Sequence, residues 1–135
     1  MTQEYESHGE FHVSWIHNIL VVEPKGAFNK EGLLKLNKKI ETLVTNASDK
    51  YWLRLELFDS RYTLGPIDSH QCLISSLEHS KQHGCVEIYV VGANNILERM
   101  FYEAAGEIGL GFHFSEDIGV EVKNLLEQGY NQNLR

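Results

Sequence analysis

The stretch PIDSHQCLISSLEHSKQHGCVEIYVVG, Pro66 to Gly92, contains both kinds of element from which the fold is built. An apolar stripe at helical spacing runs through its first half, formed by Leu73, Ile74 and Leu77. We therefore expect a helix over residues 68–83, which Gly84 ends. The nearly continuous apolar run at residues 86–92 is typical of a strand that is covered on both faces. The stretch thus predicts a helix that leads into a buried strand.

The segments on both sides continue the alternation of strands and helices. Two β-rich runs at residues 11–16 and 19–24 are separated only by His17 and Asn18, which favours a tight antiparallel hairpin. The same periodicity rules predict strands at residues 52–58 and 111–114 and helices near residues 30–46, 94–108 and 118–126. Strands joined by helices of this length are parallel neighbours with right-handed crossovers. We predict an α/β fold with a mixed, mostly parallel sheet of about five strands, an opening antiparallel hairpin and about four helices.

The composition indicates one folded domain. The chain has 135 residues, of which 42% are hydrophobic and 23% are charged. We expect the domain to occupy residues 11–128, with residues 1–10 and 129–135 as flexible ends. The formal charge of -7 disfavours nucleic acid and anionic membranes as binding partners. No run of eighteen apolar residues is present, so we expect no membrane insertion and a cytoplasmic location.

The sequence does not predict an enzyme, a cofactor or a metal site. His79 and His83 share one helical face at i, i+4 spacing, but the sequence indicates no third ligand. Cys72 and Cys85 lack the CxxC spacing, and two free thiols are expected in a chain without a secretory signal. The GANN segment at residues 92–95 has a single glycine, where a dinucleotide-binding loop needs three.

The start of the helix at residues 68–83 has two interpretations. Asp68 is followed three residues later by Gln71, which is the acidic variant of a capping box, so a helix cap alone explains Asp68. Ser69 places a hydroxyl in the first turn, where a phosphate meets free backbone N–H groups and the positive end of the helix dipole. Asp68, Ser69 and His70 point in different directions because they are adjacent in sequence, so they do not form a catalytic triad.

With this order of elements, the chain resembles the STAS family, the sulphate-transporter and anti-sigma-factor-antagonist domains. The resemblance covers residues 11–128 and includes the segment ILVVEPKGAFN at residues 19–29 and the helix start PIDSHQ at residues 66–71. In that family the hydroxyl after the helix-start aspartate accepts phosphate from a partner kinase that is also an anti-sigma factor. The resemblance implies that Ser69 is a candidate phosphoacceptor. It also implies a surface for a protein partner of the kinase or anti-sigma-factor type, formed by Asp59, Asp68, Ser69 and His70.

The chain departs from the family pattern directly after Ser69. His70 and Gln71 stand where the family has a second hydroxyl or a glycine, which indicates a divergent STAS-like branch. The prediction that follows is a non-enzymatic protein-interaction module, regulated by phosphorylation near the start of the second helix.

The alternative is a STAS-like module that binds a small ligand or a lipid in a pocket between the sheet and the helices. The aromatic residues expected to line that pocket are Trp52, Phe58, Tyr62 and Phe101. An exposed apolar patch around Leu64, Ile67 and Leu73 favours a protein partner, and an enclosed cavity favours a ligand.

Overall fold

The structure is a computed structural model, and it describes residues 9–47, 51–58, 63–64 and 69–115. Seven strands and three helices lie in these ranges. In chain order they are β1 (Glu10–Ile16), β2 (Ile19–Lys25), β3 (Ala27–Phe28), α1 (Lys30–Thr45), β4 (Trp52–Leu57), β5 (Thr63–Leu64), α2 (Ser69–Gln82), β6 (Cys85–Val91), α3 (Asn95–Ile108) and β7 (Gly111–Ser115).

The main sheet has five strands in the order β1-β2-β4-β6-β7. β1 and β2 form the antiparallel hairpin, whereas β2, β4, β6 and β7 are parallel neighbours. The predicted mixed sheet with an opening hairpin is therefore confirmed. The predicted helix at residues 118–126 lies outside the described residues. A second sheet, in which β3 pairs with β5 over two residues each, was not predicted, because two residues are too few to show a period.

The hairpin turn connects the edge of the sheet to its centre. His17 has a φ of 54°, a left-handed conformation that suits a two-residue turn. Asn18 is fully buried, and its carbonyl accepts a 2.9 Å hydrogen bond from the backbone N–H of Leu53 at the start of β4. The turn residue Asn18 therefore also helps to fix the register between β2 and β4.

Asparagine caps begin two of the three helices. The side chain of Asn29 accepts a 2.9 Å hydrogen bond from Gly32 N at the start of α1, and Asn94 does the same for Leu97 N at the start of α3. α3 ends at Gly109, whose φ of 74° is the left-handed conformation that glycine adopts without strain. No helix in the described part of the chain is long and apolar enough to cross a membrane.

Both faces of the central strands are buried. All three helices contribute to the core on one face of the sheet, which we call the helix face. The other face has a cluster that, among the described residues, consists of strand residues alone: Ile19, Val21, Leu53, Leu55, Tyr89 and Val91. The double burial explains why the sequence of β6 is almost continuously apolar.

The two cysteines differ in burial, which predicts a difference in reactivity. Cys85 is buried beneath the helices, and desolvation raises the pKa of its thiol to about 12, whereas Cys72 on α2 is only half-buried. We expect iodoacetamide at pH 8 to alkylate Cys72 while native Cys85 stays unmodified, because only about one Cys85 thiol in ten thousand is ionised. Mass spectrometry of tryptic peptides measures this, with urea-unfolded protein as the control in which both react. Equal labelling of both cysteines in the native protein would contradict the burial of Cys85.

Candidate functional site

A cluster of four polar side chains is buried between the sheet and α2. Strand alternation in β4 places Arg54 and Glu56 on the helix face, between Trp52 and Phe58. The helical spacing of i, i+4 places Ser76 and Ser80 of α2 above them. Arg54 Nε donates a 2.5 Å hydrogen bond to Glu56 Oε1. Arg54 Nη1 donates to Ser76 Oγ at 2.9 Å and to Ser80 Oγ at 3.1 Å.

The carboxylate of this cluster is held in an unfavourable environment. Arg54 and Glu56 are each 2% exposed, so both charges have lost almost all contact with water. Burial raises the pKa of Glu56 above 4.5, and the positive charge and hydrogen bond of Arg54 offset only part of this effect. An ion pair buried this deeply is a functional-site candidate, because a pair of apolar residues would fill the same space at no desolvation cost.

A small cavity lies beside the ion pair, where the three helices approach the sheet. Its volume is about 40 Å³. Its walls include the Arg54–Glu56 pair, and the remaining lining residues are Pro24, Leu33, Leu36, Asn37, Phe58, Cys72, Leu73, Leu97, Met100 and Phe101. Phe58 and Phe101 belong to the predicted pocket lining, and their rings are in edge-to-face contact with centroids 5.5 Å apart. Trp52 lies elsewhere in the core, and Tyr62 lies outside the described residues.

The residues expected to form the partner surface are described only in part. α2 begins at Ser69, so Ser69 occupies the first helical position, but its side chain lies outside the described part of the structure. Asp59 and Asp68 also lie outside it. His70 is half-buried, and its Nε2 lies 3.9 Å from Glu107 Oε2 of α3. The first turn of α2 is therefore adjacent to the last turn of α3.

An open groove runs between α1 and α2 and ends next to the first turn of α2. Its volume is about 560 Å³, and it is lined by Leu34, Asn37, Lys38, Glu41, Gln71, Cys72 and Ser75. Leu34 is 51% exposed in this groove, whose other lining side chains are mostly polar. Asn37 Nδ2 donates a 3.0 Å hydrogen bond to Cys72 O and so fixes the two helices relative to each other.

Of the three residues whose exposure would favour a protein partner over a ligand, only Leu73 has a described side chain, and it forms no exposed apolar patch. Leu73 is half-buried, packs against the core and lines the small cavity instead of the outer surface. The side chains of Leu64 and Ile67 lie outside the described residues. One exposed apolar residue next to α2 is Leu34, which belongs to α1 and lines the groove.

The two histidines at i, i+4 spacing are in contact with each other. The rings of His79 and His83 are 4.3 Å apart, and His83 Nδ1 lies 2.8 Å from the carbonyl oxygen of His79. A carbonyl oxygen can only accept a hydrogen bond, so His83 Nδ1 carries the proton and donates to it, and this nitrogen is not free to ligate a metal. In the residues that the structure describes, no group of three or more metal-ligating side chains occurs.

Comparison with known proteins identifies the fold. No protein-family profile matches the sequence, and no curated protein matches it. The structure is similar to that of the anti-sigma factor antagonist SpoIIAA in its unphosphorylated form, with a TM-score of 0.62, 9% identity, and coverage of 87% of this chain and 98% of that chain. SpoIIAA of Bacillus, a cell fate determinant, in the phosphorylated form gives a TM-score of 0.59, 8% identity, and coverage of 85% and 99%.

A third similar structure is an uncharacterised protein of the DUF3478 family from Shewanella loihica, which has a SpoIIAA-like fold. It gives a TM-score of 0.63 at 13% identity and covers 93% of this chain and 99% of that one. The chain therefore has a STAS-like fold and is divergent in sequence. At these identities the likeness establishes the fold alone.

The buried ion pair was not predicted from the sequence. The signal that points to it is the order Trp52, Arg54, Glu56, Phe58, in which two charged residues alternate onto a face between two large aromatic residues. That order is equally compatible with a strand face exposed to solvent. Only the positions of Ser76 and Ser80 above the strand show that the charged pair is buried.

Proposed function

We propose that the protein is a non-enzymatic, cytoplasmic regulatory module that binds a protein partner through the first turn of α2 and the adjoining groove. The observation that carries the proposal is the open groove between α1 and α2, which exposes Leu34 and reaches the first turn of α2 at Gln71 and Cys72. An apolar side chain in a groove that is surrounded by polar residues has the arrangement of a protein–protein interface, in which an apolar centre lies inside a polar rim. The similar fold of an anti-sigma factor antagonist, whose structure is known in unphosphorylated and phosphorylated forms, supports this proposal.

In this proposal Ser69 is the phosphoacceptor. The first residue of a helix lies where backbone N–H groups have no intrahelical acceptor, so a phosphate there gains hydrogen bonds and a favourable dipole. Asp59, Asp68 and His70 complete the proposed surface, and the partner is a protein of the kinase or anti-sigma-factor type.

Substitutions at the start of α2 are expected to separate stability from partner binding. Asp68→Ala should lower the free energy of unfolding by about 1 kcal/mol if Asp68 caps the helix. Ser69→Ala should change it little, and Ser69→Glu should stabilise the isolated protein by about 0.3–1 kcal/mol, because a negative charge is favourable at a helix N-terminus. Thermal unfolding measures these effects. Quantitative affinity capture from lysate of the native host measures binding, and the proposed switch fails if Ser69→Glu captures the same proteins in the same amounts as wild type.

Replacing Leu34 with a charged residue tests whether the groove is the binding surface. Leu34→Asp should reduce captured partner at least about fivefold, because an aspartate cannot enter an apolar contact without losing its hydration. The matched control is Ile96→Asp, since Ile96 is 77% exposed at the start of α3 and does not line the groove. Both variants should melt within a few degrees of wild type. An equal loss of captured protein in both would show that the groove is not the binding surface.

The second candidate function is binding of a small ligand. The observation that favours it is the cavity of about 40 Å³ that has the buried Arg54–Glu56 pair in its wall. The cavity and the α1–α2 groove adjoin each other, and Asn37 and Cys72 line both.

A further inference from the structure

The cavity beside the ion pair has one polar wall, and the rest of its lining is largely apolar. Arg54 and Glu56 form the polar wall, and Asn37 lies at the rim. The apolar lining is formed mainly by Leu33, Leu36, Phe58, Leu73, Leu97, Met100 and Phe101. A mostly apolar pocket with a few convergent polar groups is the usual form of a small-ligand site.

The hydrogen bonds of the ion pair leave a defined set of atoms unused. Arg54 commits Nε to Glu56 and Nη1 to the two serine hydroxyls of α2. Glu56 accepts this bond through Oε1. Among the described residues, Arg54 Nη2 and Glu56 Oε2 have no hydrogen-bond partner. The polar wall therefore offers the two N–H donors of Arg54 Nη2 and the acceptor oxygen Glu56 Oε2, which belong to adjacent side chains.

We infer that the cavity binds the hydroxyl or carboxamide end of a small, neutral aliphatic molecule. The oxygen of such a group accepts from Arg54 Nη2, and its O–H or N–H donates to Glu56 Oε2. A carboxylate cannot donate and meets the negative charge of Glu56, whereas an ammonium group cannot accept and meets the positive charge of Arg54. This inference rests on the second function proposed above and is independent of the first.

The size of the cavity limits the part of the ligand that enters it. A water molecule requires roughly 10–15 Å³ of such space, so about 40 Å³ accommodates about three non-hydrogen atoms. The polar group and its first carbons fit within. Four lining residues on the three helices are only half-buried, so a longer chain can leave the cavity between them: Asn37, Cys72, Leu73 and Met100.

Titration of the wild-type protein with two isosteric pairs of probes, each with one neutral and one ionic member, tests the inference directly. The probes are 1-propanol, propanamide, propionate and propylammonium. Binding of each probe is measured through the amide chemical shifts of residues in β4 and α2. We expect the two neutral probes to saturate in the millimolar range that is typical of such small ligands, and the two ions to bind at least about tenfold more weakly. If propionate or propylammonium binds as tightly as 1-propanol, the cavity is a ligand site but the proposed chemistry is wrong. If no probe saturates, both this inference and the second candidate function fail.

A charge-removing variant should change the selectivity in a predictable direction. Glu56→Gln keeps an oxygen for Arg54 Nε but removes the negative charge, so propionate should bind at least about tenfold more tightly than to wild type. Propionate should also raise the melting temperature of this variant and not that of wild type. Glu87→Gln is the control, because Glu87 accepts a hydrogen bond from Tyr89 in β6, away from the cavity. Unchanged propionate binding in folded Glu56→Gln would overturn the assigned role of Glu56.

A second variant keeps the site testable if Glu56→Gln does not fold. Cys72→Phe adds a ring to a half-buried position that lines the cavity and should abolish binding of 1-propanol. Ser75→Phe adds the same ring to an exposed position on α2 that does not line the cavity and should leave binding unchanged. Equal 1-propanol binding by both variants would show that the alcohol binds elsewhere.

Discussion

Arg54→Met, with Glu56 kept, should lower the free energy of unfolding by about 3–5 kcal/mol, because it leaves a buried carboxylate without its cation. Arg54 is 2% exposed and provides the hydrogen bonds that connect Glu56 with Ser76 and Ser80. Removal of the guanidinium therefore also leaves two buried hydroxyls without their donor. Urea unfolding at pH 7 measures the loss.

The double variant Arg54→Met/Glu56→Leu separates the cost of the unpaired charge from the cost of lost packing. We expect it to recover most of the loss, because apolar residues of similar volume often replace a buried ion pair without penalty. A double variant as unstable as Arg54→Met would mean that the pair stabilises the fold by itself, and that its retention needs no functional explanation.

The single variant Arg54→Met should also make the free energy of unfolding more dependent on pH. Burial raises the pKa of Glu56 above 4.5 in the folded protein, so the folded state holds this proton more tightly than the unfolded state does. Protonation of Glu56 therefore stabilises the folded state. This stabilisation is complete below pH 4.5 and is lost as the pH rises from 4.5 through the folded-state pKa of Glu56. Arg54 lowers that pKa in the wild type, so its removal should extend the loss to higher pH. The difference between Arg54→Met and wild type should therefore be smaller near pH 4.5 than at pH 8. A difference that does not vary with pH would show that Glu56 is not the group responsible.

The strands and helices could be predicted from the sequence because each has a characteristic pattern within its own segment. The hairpin followed from two β-rich runs around His17 and Asn18, and β6 followed from an uninterrupted apolar run. The start of α2 was placed at Asp68, one residue from the observed Ser69, because capping residues mark helix ends. Burial of both faces of β4 was not predictable from its alternation, which is equally compatible with one solvated face.

The candidate site was less predictable because it depends on contacts between distant segments. Arg54 reaches Ser76 and Ser80, which are 22 and 26 residues further along the chain. A single sequence does not reveal such a contact. The exposure of Leu34 depends in the same way on how α1 packs against α2.

Trp52→Ala is expected to destabilise the protein by about 3–5 kcal/mol, the usual range for truncating a large buried aromatic residue. Trp52 is fully buried on the helix face, and its ring makes an edge-to-face contact with Trp15 at a centroid distance of 5.0 Å. Ile96→Ala is the control and should change stability by less than about 0.5 kcal/mol, because Ile96 is an exposed surface residue. Chemical unfolding of both variants provides the comparison. A loss of less than about 1 kcal/mol for Trp52→Ala would mean that this part of the core is not packed as described.

Trp52 also positions α2 over the ion pair, and Trp52→Phe tests this second role. Its indole Nε1 donates a 2.8 Å hydrogen bond to the carbonyl of His83, and its backbone N–H donates to Gly84 O. These bonds connect the start of β4 to the turn after α2, two residues from Arg54. Phenylalanine keeps a ring but leaves the His83 carbonyl without its donor, so we expect a loss of about 1–3 kcal/mol. Since Ser76 and Ser80 reach Arg54 only if α2 keeps its register on β4, Trp52→Phe should also shift their amide resonances. Unchanged resonances of α2 would show that other contacts position this helix.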